Sequence, residues 1–217
     1  MKKEELFHLL DEMSLPDAII DKLDASVWCF WRKKHQLDDD QTLCALQEYI
    51  AGRNRDKDTK IRENAYALYG NLLRRNPKSE YGQFFVNCLG RETDKWILHN
   101  ILRDIKYIHL SSEVRINPIV ACSKNDQWQV RLTAIIALYN FNTPESREAV
   151  RYWVGQEDEK LYKFELLHAN AALGQIGEPG DIALLERHAH SHIRDVKDTA
   201  IFAINNIRRR FGLSSDA

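Results

Sequence analysis

Val130-Arg131-Leu132-Thr133-Ala134-Ile135-Ile136-Ala137-Leu138 sets the frame for the rest of the chain. An apolar anchor, Val130, is followed by a basic residue, by alanines four and seven positions on, and by an apolar residue at eight. The same frame places anchors at Ile61, Ile97, Val130, Glu165 and Val196, at spacings of 36, 33, 35 and 31 residues. Self-similarity at this period marks stacked supersecondary units, each burying its apolar face against its neighbours, rather than one globular core.

The matches are uneven. Four residues after the anchors stand Ala65, Ile101, Ala134, Ala169 and Ala200; seven after stand Leu68, Asp104, Ala137, Ala172 and Ala203; eight after stand Tyr69, Ile105, Leu138, Leu173 and Ile204. Asp104 and Glu165 break the apolar pattern. The spacing argues for helices, and the alanines mark seams where a neighbouring helix approaches closely. Ile135, Ile136 and Phe141 widen the apolar face of the third repeat, as in a helix covered on more than one side.

A second helix is expected after each first one. Pro144 opens Pro144-Glu145-Ser146-Arg147-Glu148-Ala149-Val150-Arg151-Tyr152-Trp153-Val154, and Pro179 opens a similar stretch 35 residues later through Ile182, Leu184, Leu185 and His188. Proline suits a first helical turn, where its missing N–H would be unpaired anyway. Asn76-Pro77 precedes Tyr81 to Leu89 in the same way. Upstream, Lys3 to Met13, Pro16 to Lys34 and a stretch through Leu43, Leu46 and Ile50, capped by Asp39 or Asp40, read as an N-terminal helical cap or divergent repeat.

Asp58-Thr59-Lys60-Ile61-Arg62 and Asn125 to Leu138 carry a resemblance to the HEAT-like repeats. It implies an all-α fold: a right-handed α-solenoid of about five helix pairs plus the cap. The expected organisation is residues 1–55 as the cap, 56–210 as repeats continuous with it, and 211–217 as a frayed tail. The pattern specifies a fold, not an activity.

Formal net charge is −1 and the sequence pI near 6.7, unlike the basic footprint of a dedicated nucleic-acid binder. Basic runs at Arg53, Arg55 and Lys57, at Arg74, Arg75 and Lys78, and at Arg208 to Arg210 read as solvated helix ends, the last complementing its helix dipole. Cys29, Cys44, Cys88 and Cys122 lack close-pair spacing and read as small buried hydrophobes. With neither a signal segment nor a membrane-length apolar run, a reduced, cytoplasmic setting is expected.

Motifs for chemistry are sparse. His188, His190 and His192 lie two apart, so on a helix only the outer two share a face; they read as a helix end whose imidazoles face water or cap carbonyls, and no metal is expected. Leu167-His168-Ala169-Asn170-Ala171-Ala172-Leu173-Gly174-Gln175-Ile176-Gly177 is similar to a segment of the deoxyhypusine hydroxylases, which bind two irons through His-Glu dyads. Ala169 stands where that family needs Glu, and without the carboxylate the iron site cannot be assembled. Bilin lyases built on such repeats offer a likeness of fold alone. Alkylated-base glycosylases of this type would need a basic channel with aromatics; Trp96, Trp128 and Trp153 are present but the positive surplus is not. Gly174, Gly177 and Gly180 read as a helix–turn–helix connection rather than a phosphate loop.

The remaining expectation is a non-enzymatic protein-binding scaffold or inhibitor without cofactors, whose second helices line a binding surface. An immunity protein neutralising a toxin is one version, a use that small stand-alone HEAT-like proteins resemble. A nucleic-acid-binding or base-repair protein, or a lyase, is the alternative. Arg147, Arg151, Glu186, Arg187 and His190 read as a polar ladder on the second helices, with Glu186 opposite Arg151 by the repeat offset. Trp96 and Trp128, beside the anchors Ile97 and Val130, read either as core or as exposed anchors for a partner.

Overall fold

The computed structural model describes residues 3–12, 39–52 and 59–213. The helix expected over Pro16 to Lys34, the basic run Arg53, Arg55 and Lys57, Asp58, and Cys29 lie outside them. Regular structure among the described residues is helical throughout: α1 (Lys3–Glu12), α2 (Asp39–Gly52), α3 (Thr59–Leu73), α4 (Ser79–Cys88), α5 (Lys95–Lys106), α6 (Asn117–Cys122), α7 (Trp128–Ala137), α8 (Pro144–Val154), α9 (Lys163–Ile176), α10 (Ile182–Ala189) and α11 (Arg194–Phe211). Short 3-10 turns extend α7 through Leu138–Asn140 and introduce α10 through Pro179–Asp181. The chain divides into two units, Met1–Arg115 and Ile116–Ala217.

In the first unit α3 packs on α1, α2, α4 and α5. In the second, the first helices of successive repeats stack as α7, α9 and α11, while α6, α8 and α10 form a second layer beside them. This is the two-layer packing of an α-solenoid.

The repeat frame falls on the core. All residues at the anchor, and at four, seven and eight positions beyond it, are buried in all five repeats. Full burial of a valine or isoleucine is worth about 1.5–3 kcal/mol, so these four positions carry much of each repeat's stability.

The two polar exceptions are matched by arginines one repeat earlier. Asp104 accepts a bond from Arg74 Nη2 at 2.6 Å, and Glu165 accepts two from Arg131, from Nε at 2.9 Å and from Nη2 at 2.6 Å. Arg62, the basic residue after the first anchor, likewise donates to buried Glu92 at 3.2 and 3.3 Å, where Tyr66 also donates, at 2.8 Å. Charge-assisted bonds of this kind satisfy carboxylates that would otherwise be costly to bury.

Local signals explain the helix starts. Asp94 accepts from the backbone N–H groups of Trp96 and Ile97 before α5. Asn125 and Ser191 each accept from the N–H two residues on, before α7 and α11. Thr143 caps α8 ahead of Pro144. At the other end, α11 stops at Gly212, whose φ of 63° suits a residue without Cβ.

Two sequence expectations need correction. Gly174 is not part of a turn: it lies inside α9, and a Cβ there would come within 2.8 Å of Ala203 Cα on α11. It is the small residue that lets α9 and α11 approach. Cys44 is exposed rather than buried, because it falls on the side of α2 away from Leu43 and Leu46.

Candidate interaction site

Helix α8 has two flanks of opposite character. Ala149, Val150, Trp153 and Val154 are buried. Trp153 Nε1 donates to the carbonyl of Ser123 at 2.9 Å, and the Arg131 guanidinium lies 5.3 Å from its ring.

The first flank carries Arg147 and Arg151 and turns toward the next repeat. Arg151 donates from Nε to Asp181 Oδ1 at 2.6 Å and from Nη2 to Oδ2 at 3.0 Å. These bonds raise the Arg151 pKa above its usual value, against the cost of burial. The partner is therefore Asp181 and not Glu186: the 3-10 turn at Pro179–Asp181 carries Asp181 to the guanidinium, where simple repeat offset would place Glu186. Arg147 bonds Asn142 at 2.6 Å and pairs with Glu178 at 3.1 Å. Arg187 donates to the carbonyls of Val154 and Gln156 at 3.0 and 3.3 Å. Three members of the polar ladder thus tie repeat to repeat, while Glu186 and His190 are exposed.

The second flank, Glu145, Glu148, Ala149 and Tyr152, forms a stripe at helical spacing. With Asn117, Val120, Ala121 and Lys124 of α6 and its C-terminal end it lines a groove of about 470 Å³. Tyr152 is 49% exposed, and Lys124 Nζ sits 5.0 Å from its ring centroid. Glu145 lies in the first turn of α8, where its own backbone N–H and the Thr143 hydroxyl hold its carboxyl below the usual value. The sequence reading passed over this flank; its signal was the spacing of Glu145, Glu148 and Tyr152, opposite Arg147 and Arg151.

Trp96 and Trp128 are 52% and 53% exposed. Each stands in the first turn of a first helix, so its indole projects while the following anchor is buried. Lys95 Nζ lies 5.3 Å from the Trp96 ring.

Of the three histidines at this helix end, His190 and His192 are exposed, while His188 meets a carbonyl rather than water. It is fully buried, with Nε2 2.7 Å from the Val154 carbonyl oxygen and Nδ1 2.8 Å from Glu159 Oε1. Ser191 donates to the other oxygen of Glu159. Burial opposes the charged carboxylate, but the bonds from Ser191 and His188 outweigh it and hold the Glu159 pKa below the ordinary value. Serine, glutamate and histidine meet here in the wrong order for nucleophilic catalysis: the hydroxyl bonds the carboxylate, not the imidazole. The cluster fastens the α8–α9 connection to the turn before α11. Burial also pushes the Cys88 and Cys122 thiols up to about 12 and about 11, so neither is a ready thiolate at neutral pH. Among the described residues, no group of three or more His, Cys, Asp or Glu is placed to hold a metal ion, and no helix is long and apolar enough to cross a membrane.

These elements define a helical-repeat scaffold. The profile of the HEAT repeats matches residues 116–205, which lie within the second unit, and the chain has a HEAT-like repeat fold. Among solved structures, an engineered protein from a structural genomics consortium is similar at 17% identity over 95% of this chain and 90% of its own, with a TM-score of 0.51. A designed armadillo repeat protein is similar at 16% identity over 94% and 92%, with a TM-score of 0.50. At such identity the likeness is one of fold. No curated protein sequence matches the chain.

Proposed function

We propose that the protein is a non-enzymatic scaffold that binds another protein. The observation that supports this most directly is the exposure of Trp96 and Trp128 beside fully buried anchors. A large aromatic held rigidly by a helix and left in solvent is the residue type that carries binding energy at protein interfaces. Arg147, Arg151 and Arg187 are engaged within the fold, whereas both indoles stand in solvent. Occlusion of a toxin domain, as by an immunity protein, is one form this binding takes; a cytoplasmic setting accords with it.

The test is affinity capture from native lysate with the intact chain, comparing wild type with Trp96→Ala and Trp128→Ala. Substituting an exposed indole leaves the fold intact, so both variants should match wild type in circular dichroism. The expected result is a stoichiometric protein partner whose recovery falls in at least one variant. Recovery of nucleic acid or metal in place of a protein would overturn the reading. Arg151→Glu is a poor probe, because it breaks the bond to Asp181.

A further inference from the structure

Successive repeats meet through the same positions. One residue after the anchor, Arg62 donates to Glu92 ahead of the second anchor, and Arg131 donates to Glu165 at the fourth. Five residues after it, Tyr66, Leu102, Ile135 and Asn170 are buried, and Asn170 reaches the carbonyl of the next anchor, Val196, at 3.5 Å. On α11 these positions are Lys197 and Ile201. Both are exposed, Ile201 at 39%, and Phe202 beside it is 61% exposed. A terminal helix of a repeat stack ordinarily turns a polar face to water; α11 instead keeps the surface with which the earlier repeats receive a successor. We propose that this face of α11 docks an amphipathic helix of another protein, which takes the place of a further repeat and sets a carboxylate against Lys197.

The chemistry of the partner follows from what stands there. Ile201 and Phe202 suit the apolar stripe of a helix laid on a hydrophobic surface. Lys197 suits an acid, since the nearby carboxylates are engaged: Asp195 pairs with Lys163 at 2.7 Å and Asp198 with Arg194 at 3.5 Å. Arg208 and Arg209, in the last turn of α11, extend the positive charge along the helix, which disfavours a basic partner. Neither Trp96 nor Trp128 belongs to α11, so this surface is additional to the one proposed above.

The test is a titration of the isotopically labelled full chain, followed by amide chemical shifts, with a hydrocarbon-stapled peptide of residues 161–178 of this chain. That segment holds α9, the helix that sets Glu165 against Arg131, and the staple supplies the helicity that so short a peptide lacks in water. The expected result is a saturable shift at residues 194–209. Affinity should fall about tenfold or more in Phe202→Glu and about threefold or more in Lys197→Glu. A peptide with Glu165→Lys should bind the Lys197→Glu chain better than it binds wild type. Both positions are exposed, so both variants should melt as wild type does. No saturable binding, binding unchanged in Phe202→Glu, a Glu165→Lys peptide that binds wild type as well as the original does, or shifts at residues 128–137 in place of α11 would overturn the proposal. So would self-association of the chain that is lost in Phe202→Glu, which would assign the face to a second copy. Failure here with capture through Trp96 or Trp128 intact strikes this face alone and leaves the scaffold reading standing; loss of that capture with the peptide result intact does the reverse.

Discussion

The Arg131 guanidinium reaches from the third repeat to Glu165 at the anchor of the fourth, donating to one carboxylate oxygen at 2.9 and 2.6 Å while its Nη1 donates to the Asn125 carbonyl at 2.9 Å. Both side chains are largely shielded from water. An anchor that is apolar in the other four repeats is replaced here by half of an inter-repeat ion pair.

That pairing makes the two residues interdependent. Arg131→Leu leaves a buried carboxylate without its partner and should cost about 3–5 kcal/mol. Adding Glu165→Val restores the apolar anchor and should recover most of that loss, since a buried pair exchanged for packed hydrophobes is often neutral or better. Urea denaturation of the two single variants and the double closes the cycle; additive losses would show that the residues do not act together.

Asp104 and Gly70 form a second coupled pair. Burial raises the Asp104 pKa, opposed by Arg74, and a Cβ on Gly70 would lie 2.8 Å from Asp104 Oδ2. Gly70→Ala alone should destabilise by about 1–2 kcal/mol through this clash. In an Asp104→Ala background, which gives the second repeat the alanine found in the last three, the carboxylate clash is gone and the same change should cost at least about 1 kcal/mol less, helix propensity offsetting the remaining 3.2 Å contact with the Cβ of residue 104. Thermal or urea midpoints of the four proteins decide it; a Gly70→Ala effect of the same size in both backgrounds would refute the coupling.

Asn170 is fully buried, and its Oδ1 has no hydrogen-bond partner among the described residues. Its Nδ2 reaches the Val196 carbonyl at 3.5 Å. Five residues after the anchor the other repeats carry Tyr66, Leu102, Ile135 and Ile201. Asn170→Leu removes the stranded acceptor and should stabilise by about 1 kcal/mol, read as a raised urea midpoint at unchanged slope. Destabilisation would mean that the amide is satisfied in solution, as by a buried water.

Glu159 should give the second unit an acid-sensitive contribution. Its folded-state pKa lies below the ordinary value of 4.5, so the stabilisation is fully present above about that pH and is lost as pH falls through the lowered folded value. Glu159→Gln should cost about 1–2 kcal/mol near neutrality, and the gap from wild type should close in acid. A gap that stays constant down to pH 3 would show that the carboxylate charge contributes nothing.

Period and apolar spacing carried the fold because they report a local property: where a helix must be covered. The residues that broke the pattern, Asp104 and Glu165, were legible as departures, but their arginine partners lie 30 and 34 residues away and no local rule joins them. The candidate site was less legible. From sequence Arg147, Arg151 and Arg187 read as a binding ladder, because their spacing is that of a solvated face. Packing consumed them, and the open flank of α8 was the one carrying Glu145, Glu148 and Tyr152.

The sequence by itself determined the helical-repeat fold, where the repeats stand, and which positions of the repeat frame are buried, since helical periodicity and the preference of apolar side chains for the interior are written residue by residue. The tertiary structure decided which polar residues are free to meet a partner, by setting Asp181 against Arg151, burying His188 against Glu159 and leaving both indoles in solvent. Those outcomes depend on which side chains from different repeats arrive within hydrogen-bond distance, and that is fixed when the helices pack.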